Sequence, residues 1–272
     1  MIATTAAFAQ NRRIQNPNNP PANNPAKDTT SALTKALKNA PPAAQPVKPG
    51  KKDWSKIKPD PRKSQDHFMV EVGYDNWVGS TDSMNIKGIN HSENFYFMYA
   101  WPASKTDPRL TVAAGIGIGS SNIYFAHQEV IVNGNQGANQ TLSFQDEQGA
   151  NHFKRYKLCT NYLEIPVELR FALDPQNMDH SWKFAAGAKF GLLLSAYTKG
   201  VDLVGPTGSP VANYTEKESS KQFFSGAEVT PTIRVSKGVI GFFAQIHLTS
   251  LIKASAGSSV FPISGGIVLS GL

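Results

Sequence analysis

Apolar and polar side chains alternate one by one along long stretches of residues 67–272. In one stretch Leu163, Ile165, Val167, Leu169, Phe171 and Leu173 alternate with Glu164, Pro166, Glu168, Arg170 and Ala172. A second sets Trp182, Phe184, Ala186, Ala188, Phe190, Leu192 and Leu194 against Lys183, Ala185, Gly187, Lys189, Gly191 and Ser195. A third sets Ile240, Phe242, Ala244, Ile246 and Leu248 against Gly241, Phe243, Gln245, His247 and Thr249. Successive side chains of a strand point to opposite faces, so this period of two predicts two-faced β-strands. Eight such segments are expected, at about 67–78, 94–102, 108–125, 155–173, 181–199, 221–236, 239–252 and 261–272.

The connections alternate in length. Those after the second, fourth and sixth segments are tight. Those after the first, third and fifth are long and polar, and the seventh leads into Ser255-Ala256-Gly257-Ser258-Ser259. An all-β, eight-stranded antiparallel up-and-down barrel in an outer membrane has this rhythm, with short turns in the periplasm and long loops outside. An even number of strands then leaves both termini periplasmic.

The polar faces mix charge with Gly and Ala, as a narrow interior requires. Glu164, Glu168, Arg170, Lys183, Lys189, Glu228 and Arg234 are expected to neutralise one another in the lumen. Lys or Arg facing lipid at the midplane would cost roughly 2–4 kcal/mol each. The competing reading is a soluble lipocalin-like barrel with an apolar interior. Aromatic placement favours the membrane, since interfaces select two belts. Phe68, Tyr99, Trp101, Trp182, Phe184 and Phe242 are expected at the short-turn end, and Tyr74, Trp77, Phe95, Tyr162, Tyr197 and Phe223 at the long-loop end. Pro166 and Pro231 each remove a ladder donor, so each is expected at a bulge or a widened ladder.

Composition refines the picture. Mean hydropathy is −0.31, and no apolar run approaches the ~20 residues of a spanning helix. The single Cys159 reads as a structural thiol. Ala7-Phe8-Ala9 fits a signal-peptide cleavage site, so residues 1–9 read as the remnant of a leader whose start lies upstream. Residues 10–66 are rich in Pro, Asn, Ala and Lys, with one short helix plausible at 31–39. Such a segment cannot bury enough surface to offset its ordering entropy, and disorder is expected. Residues 1–66 carry 12 of the 27 Lys and Arg but only 4 of the 20 acidic residues. The basic charge is therefore a property of this arm, densest at 48–63. Acidic headgroups, peptidoglycan or a periplasmic protein could meet it. Nucleic acid is excluded by the interrupting prolines, by Trp54 as the one stacking residue and by the compartment.

Tyr162-Leu163-Glu164-Ile165-Pro166-Val167-Glu168-Leu169-Arg170, followed by Phe184-Ala185-Ala186-Gly187-Ala188-Lys189-Phe190-Gly191, resembles the PorT-like outer-membrane β-barrel family of Bacteroidota. The resemblance covers about 67–272 and implies the barrel fold. It also implies a setting, since some members resemble components of the type IX secretion and gliding apparatus. The ending Gly271-Leu272 departs from the aromatic residue that closes many such barrels.

Chemistry is sparse. The six histidines show no metal spacing, so no metal, cofactor or catalytic residue is expected. His91 with Glu93, and His127 with Glu129, are the candidates for an alternative reading as a small outer-leaflet acyl transferase or protease. A narrow channel is a further alternative, disfavoured because an eight-stranded interior is filled by its own side chains. Gly115-Ile116-Gly117-Ile118-Gly119 reads as inward positions left small for bulky neighbours. In the connection 122–157, Asn133-Gly134 signals a hairpin. The third and fourth strands are expected to project there as a ribbon that could take a partner by β-augmentation. The leading expectation is a monomeric, non-enzymatic barrel that anchors or docks envelope proteins through residues 11–66 and the 122–157 loop.

Overall fold

The computed structural model describes residues 67–81, 84–132, 141–147, 149–178 and 180–271. The leader remnant, the arm with its helix at 31–39, Asn133-Gly134 and Leu272 lie outside the described residues.

Eleven strands follow one another: β1 (Phe68–Val78), β2 (His91–Pro102), β3 (Leu110–Phe125), β4 (Gln128–Ile131), β5 (Ser143–Asp146), β6 (His152–Ala172), β7 (Trp182–Val204), β8 (Pro210–Ser219), β9 (Ala227–Lys237), β10 (Ile240–Ile246) and β11 (Phe261–Ser270). Eight of them close an antiparallel ring in the order β6-β3-β2-β1-β11-β10-β9-β7, with β7 returning to β6. The ring forms because each strand has one apolar and one polar face, and closure leaves its barrel edges paired. The tight connections are 103–109, 173–181 and 238–239. In the first, the Arg109 guanidinium hydrogen-bonds Asp107 and holds its carboxyl below the ordinary carboxylate range.

The expected parity holds around the ring. Phe97, Ile116, Ile165, Phe190, Leu192, Ile233 and Ile267 are exposed on the outside, and Glu71, Glu164, Glu168, Lys189 and Arg234 are buried inside. The belt at the short-turn end is outward as expected, with Phe68, Tyr99, Trp101, Trp182, Phe184 and Phe242 all exposed. The other belt needs correction. Tyr74 and Phe95 are outward, but Trp77, Tyr162 and Phe223 are buried in an apolar cluster at the long-loop end. Trp77 shares parity with Glu71 and Asp75, and Tyr162 with Glu164, so strand geometry turns both inward.

The two prolines interrupt ladders without bulging them. The β3–β6 pairing lapses between Ala114↔Val167 and Gly117↔Glu164, opposite Pro166, and resumes in the same register. The β9–β10 ladder stops at Thr232↔Gln245, one residue before Pro231, and the Leu248 amide then donates to the Val229 carbonyl in unchanged register. The bulge lies elsewhere. Asn161 faces Ser195 while Tyr162 faces Leu193, so Leu194 is the extra residue. Above it the parity of β7 inverts. Ser195, expected inside, joins the outer face and accepts a hydrogen bond from outward Asn161 at 2.8 Å.

The expected ribbon also changes partners. β3 and β6 pair as far as Phe125↔Tyr156, but the sheet that continues past the ring is β6–β7–β8. There β7 pairs with β6 from Val204 down and with β8 across Tyr197–Val204. β8 lies within a stretch read from sequence as a plain polar loop. β4 and β5 form a separate hairpin folded over the ring, where Val130 and Leu142 join the apolar cluster. Replacing Val167, on the outer face near mid-strand, with Arg should lower stability in a bilayer by about 2–4 kcal/mol. Reversible unfolding in vesicles measures this; a loss under about 0.5 kcal/mol would place the residue outside the acyl region.

Candidate functional site

The polar lumen is capped at the long-loop end by one apolar layer and packs beside a second toward the short turns. Toward the long loops, Trp77, Ile123, Leu158, Tyr162, Phe224 and Leu251 belong to one buried cluster with the β4–β5 hairpin. Tyr156 clips that hairpin down: its hydroxyl donates to the Val130 carbonyl at 3.1 Å and accepts from the Val130 amide at 3.2 Å. Toward the short turns, Met69, Tyr96, Met98, Ala100, Ala113, Phe243 and Val268 form a second cluster.

Ionic side chains pack beside and between these layers. Glu168 accepts from Arg170 Nε at 2.8 Å and from Arg234 Nη2 at 2.7 Å. Arg234 Nη1 also donates to Ser270 at 3.1 Å. At mid-lumen, Lys189 Nζ lies 2.6 Å from both Glu71 and Gln245 Oε1, and 4.7 Å from the centre of the Tyr96 ring. Asn94 donates to Glu71, and Tyr96 donates to Glu164 at 2.5 Å. Glu228 lies 3.1 Å from His247 Nδ1. Lys183 is half-buried, on the row Lys183↔Ser236 near the short turns. Lys189 takes Glu71 as its hydrogen-bonded carboxylate partner. Glu71, Asn94, Tyr96, Gln245 and His247 complete the network, and each lies on the inward parity of its strand. The glycines of β3 make room as expected: a Cβ at Gly115 would meet Met98, one at Gly117 the Tyr96 ring, and one at Gly119 the Glu164 carboxylate.

Between this network and the apolar cap sits a cavity of about 30 Å³ lined by Asp75, Ser92, Ser121, Thr160, Glu228 and His247, among others. That is room for one or two water molecules. Ser121 donates to Asp75 at 2.5 Å. Among the described residues no group of three or more His, Cys, Asp or Glu is arranged to hold a metal ion. Cys159 is buried.

The surface beyond the ring is divided by charge. A groove of about 670 Å³ beside the β1–β2 loop is lined by Lys87, His91, Tyr124, His127, His152, Lys154 and Arg155, among others, and, among the described residues, by no carboxylate. His91 Nδ1 lies 3.1 Å from the Ile89 carbonyl, and its ring packs on Tyr124. His127 Nδ1 lies 3.0 Å from His152 Nε2. Glu129, considered with His127 from the sequence, lines a different cavity with Glu216 and Glu218. Burial first, then the charges of Glu147, Glu216 and Glu218, push the Glu129 carboxyl above its ordinary range.

The chain belongs to the outer membrane protein beta-barrel domain family, whose model matches residues 67–251. It is an outer-membrane β-barrel protein. Among solved structures it is similar to Ail, the attachment invasion locus protein of Yersinia pestis, crystallised with the heparin analogue sucrose octasulfate. That match has 6% identity and a TM-score of 0.29, covering 74% of this chain and 96% of that one. No curated protein sequence matches the chain.

Removing one partner of the Glu71–Lys189 pair leaves a buried charge. Lys189→Met should therefore destabilise the barrel by about 3–5 kcal/mol, and adding Glu71→Gln should recover much of that loss; denaturant unfolding of both variants checks it. Glu129 generates a pH prediction. A raised carboxyl binds its proton more tightly in the folded state, so its contribution favours folding at low pH and is lost as pH rises through the raised value. Hydrogen-exchange protection factors in β4–β5 should grow on acidification, and Glu129→Gln should flatten that dependence.

Proposed function

We propose that this chain is a docking or anchoring component of the outer membrane, neither an enzyme nor a pore, and that it works as a monomeric barrel. In this reading both termini and the short turns face the periplasm, and β6–β7–β8 stands outside the cell. The observation that carries it is that extension. β8 is exposed along nearly its whole length and, among the described residues, pairs only with β7, so its other edge is available to a partner strand. Val211 and Tyr214 supply apolar anchors on it, each about half exposed. The lumen, filled by paired ions beneath an apolar cap, supports a structural role for the ring itself.

The basic arm at residues 10–66 would serve the opposite side, reaching a periplasmic protein or acidic headgroups. The PorT-like resemblance suggests secretion or gliding machinery as the setting, by analogy of fold.

Two measurements test this. Thr207→Cys, in the exposed β7–β8 turn, should react with a membrane-impermeant maleimide on intact cells, whereas Thr106→Cys should react only after the envelope is opened; the reverse pattern would invert the orientation. A photocrosslinking residue at Tyr214 should capture a discrete envelope protein, and deleting residues 11–62 should abolish periplasmic crosslinks from the arm side while the barrel still folds. Unchanged crosslinks and phenotype after the deletion would remove the docking role of the arm.

A further inference from the structure

The register of the extension places three lysines in one cross-strand row. Lys157 pairs with Lys199, and Lys199 pairs with Lys217. Directly paired residues share a face, and on β6 that face is the one carrying Leu163, Ile165 and Val167 lower down. The row is therefore on the lipid-facing side of the barrel. It is Leu194 that makes this so: without the bulge, Lys199 would follow Lys189 to the inner face.

Like charges directly opposite one another are unfavourable. Yet this face collects more of them. Arg155 lies one outward position above Lys157, and Lys87 and Lys154 line the adjoining groove. Among the described residues none of these cations makes an ion pair with a carboxylate. Lys157 donates to Asn122 at 2.7 Å and lies 5.8 Å from the Tyr124 ring centre; Lys217 sits 4.0 Å from that of Tyr197. Asn and aromatic rings orient ammonium groups without neutralising them. The acids of β8, Glu216 and Glu218, pair into the rows of Gly200 and Thr198 and line the cavity on the opposite face. Two acids lie nearby: Glu93, lower down on the row of Ser120 and Asn161, and Asp202, at positive φ next to Val201, the partner of Arg155; neither forms an ion pair with the lysine row among the described residues.

Height selects the ligand. Leu163 ends the apolar run of β6, and Lys157 is six residues beyond it, roughly 20 Å along the strand and about 15 Å along the membrane normal at the usual tilt. A phospholipid headgroup layer is only about 5–7 Å thick, so the row stands above a simple headgroup, at the height reached by one extended with sugars. We propose that the Lys157–Lys199–Lys217 row, with Arg155, binds the phosphorylated saccharide headgroup of an outer-leaflet glycolipid. This rests on the orientation proposed above. A phosphate between two lysines relieves their repulsion.

The test uses the full chain in nanodiscs of neutral phosphatidylcholine doped with diphosphorylated lipid A, read by native mass spectrometry and by the shift in thermal midpoint on adding the lipid. The triple variant Lys157→Gln, Lys199→Gln, Lys217→Gln should bind on the order of 100-fold more weakly, roughly fivefold per cation. It should also lose the midpoint shift, while the corresponding triple Arg variant keeps both. In neutral lipid alone the Gln variant should melt no lower than wild type, since repulsion has been removed. Equal lipid A retention by wild type and the Gln variant would overturn the proposal. So would a lysine-dependent response to a soluble sulfated saccharide with no preference for lipid A over phosphatidylcholine. Nanodiscs present the lipid on both sides, so this outcome is independent of orientation, which the maleimide labelling decides separately.

Discussion

Ionised side chains in this barrel are buried within the ring, screened from lipid by the strands and, at the long-loop end, from bulk water by an apolar cap. That constraint governs everything else. Glu168 between two arginines, and Lys189 between Glu71 and Gln245, are arrangements in which each charge finds its partners within the ring. Desolvation of such groups is costly, and the attraction between them offsets it only when the geometry is good and the remaining polar atoms are bonded. Asn94, Tyr96 and Ser270 supply some of those bonds. The glycines of β3 are the steric counterpart, since a Cβ at Gly117 or Gly119 would occupy the space of Tyr96 or Glu164.

The same parity that hides charge inside the ring displays it beyond. One extra residue, Leu194, reverses the faces of β7 where the strand leaves the barrel. Lysines thereby come to the lipid side and glutamates to the side of the β4–β5 hairpin. A single bulge thus separates the ring, with its charges buried, from a charge-sorted sheet beyond it.

Much of this was legible in the sequence. Strict alternation fixes which face of β6, the lower half of β7 and β10 is buried, and the long-short rhythm of connections fixes the ring. What stayed hidden depends on contacts that period-two reasoning lacks. Leu194 is the last of three consecutive leucines, so nothing local marks it as a bulge. β8 reads Thr215-Glu216-Lys217-Glu218, with charge on both faces, because both faces are wet; no hydrophobic signal exists to find. Trp77 and Tyr162 were placed in an aromatic belt by height alone, although their parity already turned them inward. His247 was a different case, assigned to the inner face but not joined to Glu228, because pairing across strands requires the shear of the ring.

Electrical recording tests the central claim most directly, namely that this ring is a sealed body whose function lies on its surfaces. The full chain, with insertion into planar bilayers verified by protease protection in matched vesicles, should show no stepwise conductance over repeated insertions. Uniform, voltage-stable openings from the wild-type protein would contradict the account, since ions would then be crossing a lumen that these side chains are held to fill.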